Sequence, residues 1–175
     1  MWVPTGRTVI KATAYVAFYK GRTGSPYYER LLTPFIRYIM GCKELEHVSI
    51  VIEYDKNCAF VYQVSKLCKS RWLRADVLLK TWRPHYIIRL GQCTLDTDAL
   101  NSLESNKMSL IGLILYKIIT KYFGCKIPKN ICTIRAADIA KLLGFNLGYH
   151  VLPDDLYKEL KENADDIDCW EGGSW

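Results

Sequence analysis

Apolar and polar positions along this chain change their period several times, and each change marks an element. Thr8 to Tyr19 is dense in β-branched and aromatic residues and predicts a first strand, closed by Lys20-Gly21-Arg22-Thr23-Gly24-Ser25. From Pro26 to Met40 the apolar residues Leu31, Leu32, Phe35, Ile36 and Ile39 recur at helical spacing. Pro34 predicts a kink or a break into two short helices there, and Gly41 a stop. His47 to Tyr54 and Ala59 to Ser65 flank Asp55-Lys56-Asn57 and predict a β-hairpin. Arg71 to Lys80, carrying Trp72, Leu73, Val77 and Leu78, predicts a short helix, and Tyr86 to Leu90 a further strand ended by Gly91. Asp96 or Thr97 can cap a helix running to about Ser105. Met108 to Tyr122 is the most apolar helix and Cys132 to Leu143 another, halted by Gly124 and Gly144 respectively. Asp154 to Glu162 opens a last helix after Pro153. Strands followed by helices in this order predict an α+β fold, a small antiparallel sheet with packed helices. One domain is expected over residues 1–163, followed by an acidic, Gly- and Trp-containing flexible tail over 164–175.

Composition narrows the function classes. Half of the 175 residues are hydrophobic and 24% are charged, an ordinary globular balance with enough chain for a core. The net charge of +6 is spread along the chain and reads as solvated surface rather than a nucleic-acid footprint. Lys66, Lys69, Arg71 and Arg74 around Trp72 form a small basic and aromatic cluster, which a solvated helix face explains more cheaply. No stretch of about 18 apolar residues predicts a membrane span. Met108 to Phe123 comes nearest, but Lys117 and Lys121 interrupt it. The first residues lack the charged start and apolar stretch of a signal peptide. Seven cysteines without a Cys-x-x-Cys pair, and three scattered histidines, predict reduced thiols, no metal site and no cofactor.

The candidate chemistry lies in two elements far apart in sequence. Cys132 opens a predicted helix, where the positive end of the helix dipole favours thiolate. His47 opens a predicted strand and can serve as a general base to such a thiol. With Asp55 to Asn57 as the loop, Ser49 faces Gln63 and His47 faces Ser65. Alternation then places His47, Ser49, Gln63 and Ser65 on one face, and Val48, Ile50, Ile52 and Tyr62 on the other. Gln63 is the best candidate to orient the imidazole, with Ser65 as the alternative if the loop shifts the alignment. Glu53 shares that face at the far end of the strand, and Glu44 and Glu46 bring negative charge near His47. The Cys132 backbone N–H and the helix dipole are placed to meet an oxyanion, with Tyr15 and Tyr19 as further donor candidates. Against this stands the commoner outcome for such residues: a histidine that satisfies its hydrogen bonds in the fold and a buried, inert cysteine.

The order of these elements resembles the permuted NlpC-type branch of the papain-like cysteine peptidases and amidases, in which the His-bearing hairpin precedes the Cys-led helix. The likeness is greatest to small phage and bacterial members and covers roughly residues 8 to 162. It rests on Phe18-Tyr19-Lys20-Gly21, on Tyr28-Glu29-Arg30-Leu31-Leu32 with Phe35-Ile36-Arg37-Tyr38, and on His47-Val48-Ser49-Ile50-Val51-Ile52. It continues through the alanine-rich helix from Cys132 to Leu143-Gly144 and the helix start Pro153-Asp154-Asp155-Leu156. The chain departs from relatives that carry Ser and an acidic residue after the Cys, having Thr133, Ile134 and Arg135 instead. The resemblance implies a circularly permuted papain-like fold with Cys132 as nucleophile, His47 as base and Gln63 as orienting residue. It implies a peptide, amide or acyl substrate, with cell-wall peptides foremost, and a place in the host-cell cytoplasm or the virion. A second function class fits the same features: a virion structural protein that keeps the fold without turnover. In that reading Trp170 and Trp175 on the tail dock on other virion proteins.

Overall fold

The structure is a computed structural model and describes residues 9–20, 43–55, 58–64, 71–96 and 131–163, with Pro34, Tyr38 and Asp98. Its centre is a five-stranded antiparallel sheet. The strands are β1 (Val9–Tyr19), β2 (His47–Asp55), β3 (Cys58–Gln63), β4 (Arg71–Arg74) and β5 (Tyr86–Asp96), in the order β4-β3-β2-β1-β5. Three described helices accompany it: α1 (Ala75–Thr81), α2 (Cys132–Leu142) and α3 (Pro153–Asn163). The architecture is therefore α+β around a small antiparallel sheet. No described helix is long and apolar enough to cross a membrane.

Both faces of the sheet are buried, which is why β1 and β2 read as nearly continuous apolar runs. On one face Ala12, Ala14, Val16 and Phe18 of β1 join Val48, Ile50 and Ile52 of β2. Against them pack Ile134, Ala136, Ala137, Ile139 and Ala140 of α2, with Leu156 and Leu160 of α3. The alanines let the α2 backbone approach the sheet closely, because a methyl group adds little width at the contact. The second face carries Ala17, Tyr19, Val51, Ala59, Val61 and Ile87, covered by Ala75 and Leu78 of α1.

The hairpin keeps the expected alignment through its middle, with Ile50 opposite Tyr62 and Ile52 opposite Phe60. A register shift between Glu53 and Asp55 then pairs Asp55 with Cys58, so Asp55 belongs to the ladder and not to the loop. Two expected elements need correction. Arg71 to Arg74 extends the sheet as β4 before the chain turns into α1, although Arg71 to Lys80 has a helical apolar spacing. Ladder bonds to β3, available only in the folded chain, override that local preference. Gly91 does not end a strand either: β5 runs through it to Asp96. At Gly91 the backbone takes φ +132°, and the β1–β5 register shifts opposite it, between Ala14 and Tyr15. The glycine thus accommodates a bulge inside the strand.

Other boundaries follow local signals. Asp96 Oδ1 accepts the Asp98 N–H at 3.0 Å, the bond expected of a helix cap, and Asp98 is helical. Gly144, at φ +91°, terminates α2. Pro34 and Tyr38 are helical, as their predicted helix requires. The rest of that helix, the Met108–Tyr122 helix, Ser65 and the tail 164–175 lie outside the described residues.

Candidate active site

The site is built where β2 and α2 begin. His47 is the first residue of β2 and pairs with Tyr19, the last residue of β1. The Glu46 N–H donates to the Tyr19 carbonyl at 2.9 Å and aligns the chain entering that pair. Alternation turns the His47 side chain to the face of Tyr19, Ser49 and Val51. Its ring stacks on Trp82, with centroids 4.8 Å apart and an interplanar angle of 22°, and lies 5.7 Å from the Tyr19 ring. Trp82 caps the C-terminus of α1, donating its backbone N–H to Leu78 and its indole N–H to the Lys20 carbonyl at 3.3 Å.

Beneath this aromatic group the Tyr19 and Ser49 hydroxyls share a buried hydrogen bond of 2.9 Å. Burial pushes the Tyr19 hydroxyl up to about 12 against the opposing pull of the Ser49 bond, because the phenolate would lose its hydration. Tyr15, the other tyrosine considered as an oxyanion donor, gives its hydroxyl to Glu53 at 2.8 Å. The Glu44 carboxylate, expected to lie near His47, is 3.5 Å from the Lys20 ammonium in an exposed ion pair.

Cys132 is the first residue of α2, preceded by Ile131 in extended conformation. The first turn contains no acidic residue, and no side chain caps it, so the positive end of the helix is not neutralised from within the helix. Cys132 packs in the cluster of Val48 and Ile50, on the face opposite that of the His47 ring. Both residues are largely covered, with His47 9% and Cys132 7% exposed.

Hydrogen bonds tie each of these starting points to the entrance of α3. Thr133 Oγ1 donates to the Val151 carbonyl at 3.3 Å, tying the first turn of α2 to the chain just before α3. From the first turn of α3, the Asp154 carboxylate accepts the N–H groups of Lys43, Glu44 and Leu45, at 3.0, 3.1 and 3.2 Å. The loop that delivers His47 and the start of α2 are therefore both anchored to the α3 entrance. Gln63 ends β3 opposite Arg71 of β4, one residue past Tyr62, where the β2–β3 ladder closes on Ile50. Its side chain lies outside the described part of the molecule.

Sequence reasoning missed Trp82 and Asp154. Nothing local to either residue signals its role, since each acts on a partner more than 30 residues away. Ser49 and Tyr19 were within reach, because strand alternation already put Ser49 on the His47 side. The described residues contain no group of three or more His, Cys, Asp or Glu side chains able to hold a metal ion. Comparison with protein-family models, curated proteins and solved structures finds no match.

Proposed function

We propose that the protein is a thiol hydrolase of the permuted NlpC-type papain-like kind, acting on a peptide, amide or acyl bond. The observation that supports this reading is that the first turn of α2 and the loop before β2 are both hydrogen-bonded to the short segment that opens α3, through Thr133 and Asp154. The Cys132 thiolate attacks the substrate carbonyl carbon and forms a thioester as the leaving group departs with a proton from His47. His47 then takes a proton from water, whose oxygen attacks the thioester and releases the acid, regenerating the Cys132 thiolate and the protonated His47. The Cys132 N–H and the positive end of α2 stabilise the oxyanion in both steps. Gln63 is the candidate to orient the ring, with Ser65 as the alternative. Cell-wall peptides are the foremost substrate class by resemblance, with phage the corresponding source.

A specific observation favours a second reading, a virion interaction protein that retains the fold without turnover. His47 and Cys132 are mostly buried and pack on opposite faces of the sheet. Labelling with a thiol-reactive probe across pH separates the two, using the wild type, Cys132→Ala and His47→Ala. The hydrolase reading expects Cys132 to react faster than an exposed model thiol below pH 8, with the advantage lost in His47→Ala. Slow labelling that is indifferent to His47 would leave the interaction reading standing.

A further inference from the structure

We infer that Asp154 is a positioning residue for His47, acting through the loop 43–46. Three consecutive backbone N–H groups converge on its carboxylate: Lys43 on one oxygen, Glu44 and Leu45 on the other. Successive main-chain donors of this kind form an anion-binding concavity, and here a side chain from a helix 109 to 111 residues away occupies it. Asp154 is the second residue of α3, so the dipole of that helix also favours its negative charge.

The consequence passes along a short covalent path. Leu45, 1% exposed, is set into the core between sheet and helices, and Glu46 donates its N–H to Tyr19. His47 follows at once, in register with Tyr19 and stacked on Trp82. Asp154 thereby joins the base-bearing strand to the α3 entrance, which Val151 in turn joins to the first turn of α2 through Thr133. A neutral amide at position 154 cannot serve all three donors as a carboxylate does, because its nitrogen would confront an N–H. The catalytic consequence rests on the thiol-hydrolase reading; the placement of His47 does not.

The test compares the full-length wild type with Asp154→Asn and Asp154→Ala by two readouts. The imidazole C–H resonances of His47, shifted by the Trp82 ring, report its placement without reference to catalysis, and those of His150 serve as an internal control. The expected result is a His47 resonance moved toward the value of an unstacked histidine in both variants, with His150 unmoved and far-ultraviolet dichroism unchanged. The labelling rate of Cys132 is expected to fall about tenfold to a hundredfold in Asp154→Asn, as a displaced catalytic group does. A His47 resonance unchanged in both variants overturns the inference, as does loss of the whole fold in both, which would make Asp154 a general anchor. If the resonance moves but Cys132 shows no enhanced reactivity even in the wild type, the inference stands and the hydrolase reading fails.

Discussion

Alkaline unfolding offers a direct measure of the face that holds His47. Tyr19 is fully buried, its hydroxyl bonded to Ser49 at 2.9 Å, and burial raises its pKa from 10.0 to about 12. In the unfolded chain a tyrosine ionises near pH 10, whereas the folded protein keeps this one protonated. The unfolded state therefore binds fewer protons above pH 10, and stability falls as pH rises. The contribution is fully present below about pH 10 and is lost through the folded value near 12. At about 1.4 kcal/mol per pH unit, the total is roughly 3 kcal/mol. Urea unfolding midpoints measured from pH 8 to pH 11.5 on the wild type and Tyr19→Phe isolate this component, since all other tyrosines are common to both. The wild type should lose more stability over that range than Tyr19→Phe. Parallel curves would refute the reasoning, because they would mean that Tyr19 ionises as readily folded as unfolded. At neutral pH Tyr19→Phe should itself cost about 1–3 kcal/mol, as the buried Ser49 hydroxyl loses its partner. Adding Ser49→Ala should recover part of that loss.

Two further outcomes test other parts of the molecule. Burial works to raise the Glu159 carboxyl, but the His150 hydrogen bond, the Gly148 N–H at 3.0 Å and the His150 charge outweigh it and hold it below its ordinary value. Its contribution is present above the ordinary carboxylate range and is lost as pH falls through the depressed value. Glu159→Gln should therefore flatten the acid limb of urea stability below the ordinary carboxylate range, and an unchanged limb would exclude Glu159 as its source. Gly91→Ala should cost about 1–3 kcal/mol by thermal or urea unfolding, because φ +132° is a backbone conformation that L side chains rarely adopt. A neutral effect would mean that the β5 bulge relaxes without strain.

Much of the sheet was legible because its information is local. The β1 and β2 runs, the hairpin alignment from Ile50 to Glu53 and the boundaries of α2 and α3 follow from side-chain period, proline and glycine. The errors fell where pairing decides. Arg71 to Arg74 has no strand signature of its own and becomes a strand by bonding to Phe60 through Gln63. Tyr86 to Asp96 reads as a strand stopped at Gly91, until the long β1 is seen to offer a partner for all of it.

For the candidate site the division is similar. The sequence by itself determined that His47 opens a strand, that Cys132 opens a helix, and that His47 and Ser49 share a face, because these depend only on periodicity and on local starts and stops. Tertiary structure alone decided what surrounds them: Trp82 on the imidazole, Tyr19 against Ser49, Asp154 on the loop before β2, and Cys132 in the opposite core. The physical reason is that each of these contacts joins segments distant in the chain. Their free energy exists only after the sheet has closed and both of its faces are covered, so no local pattern records it.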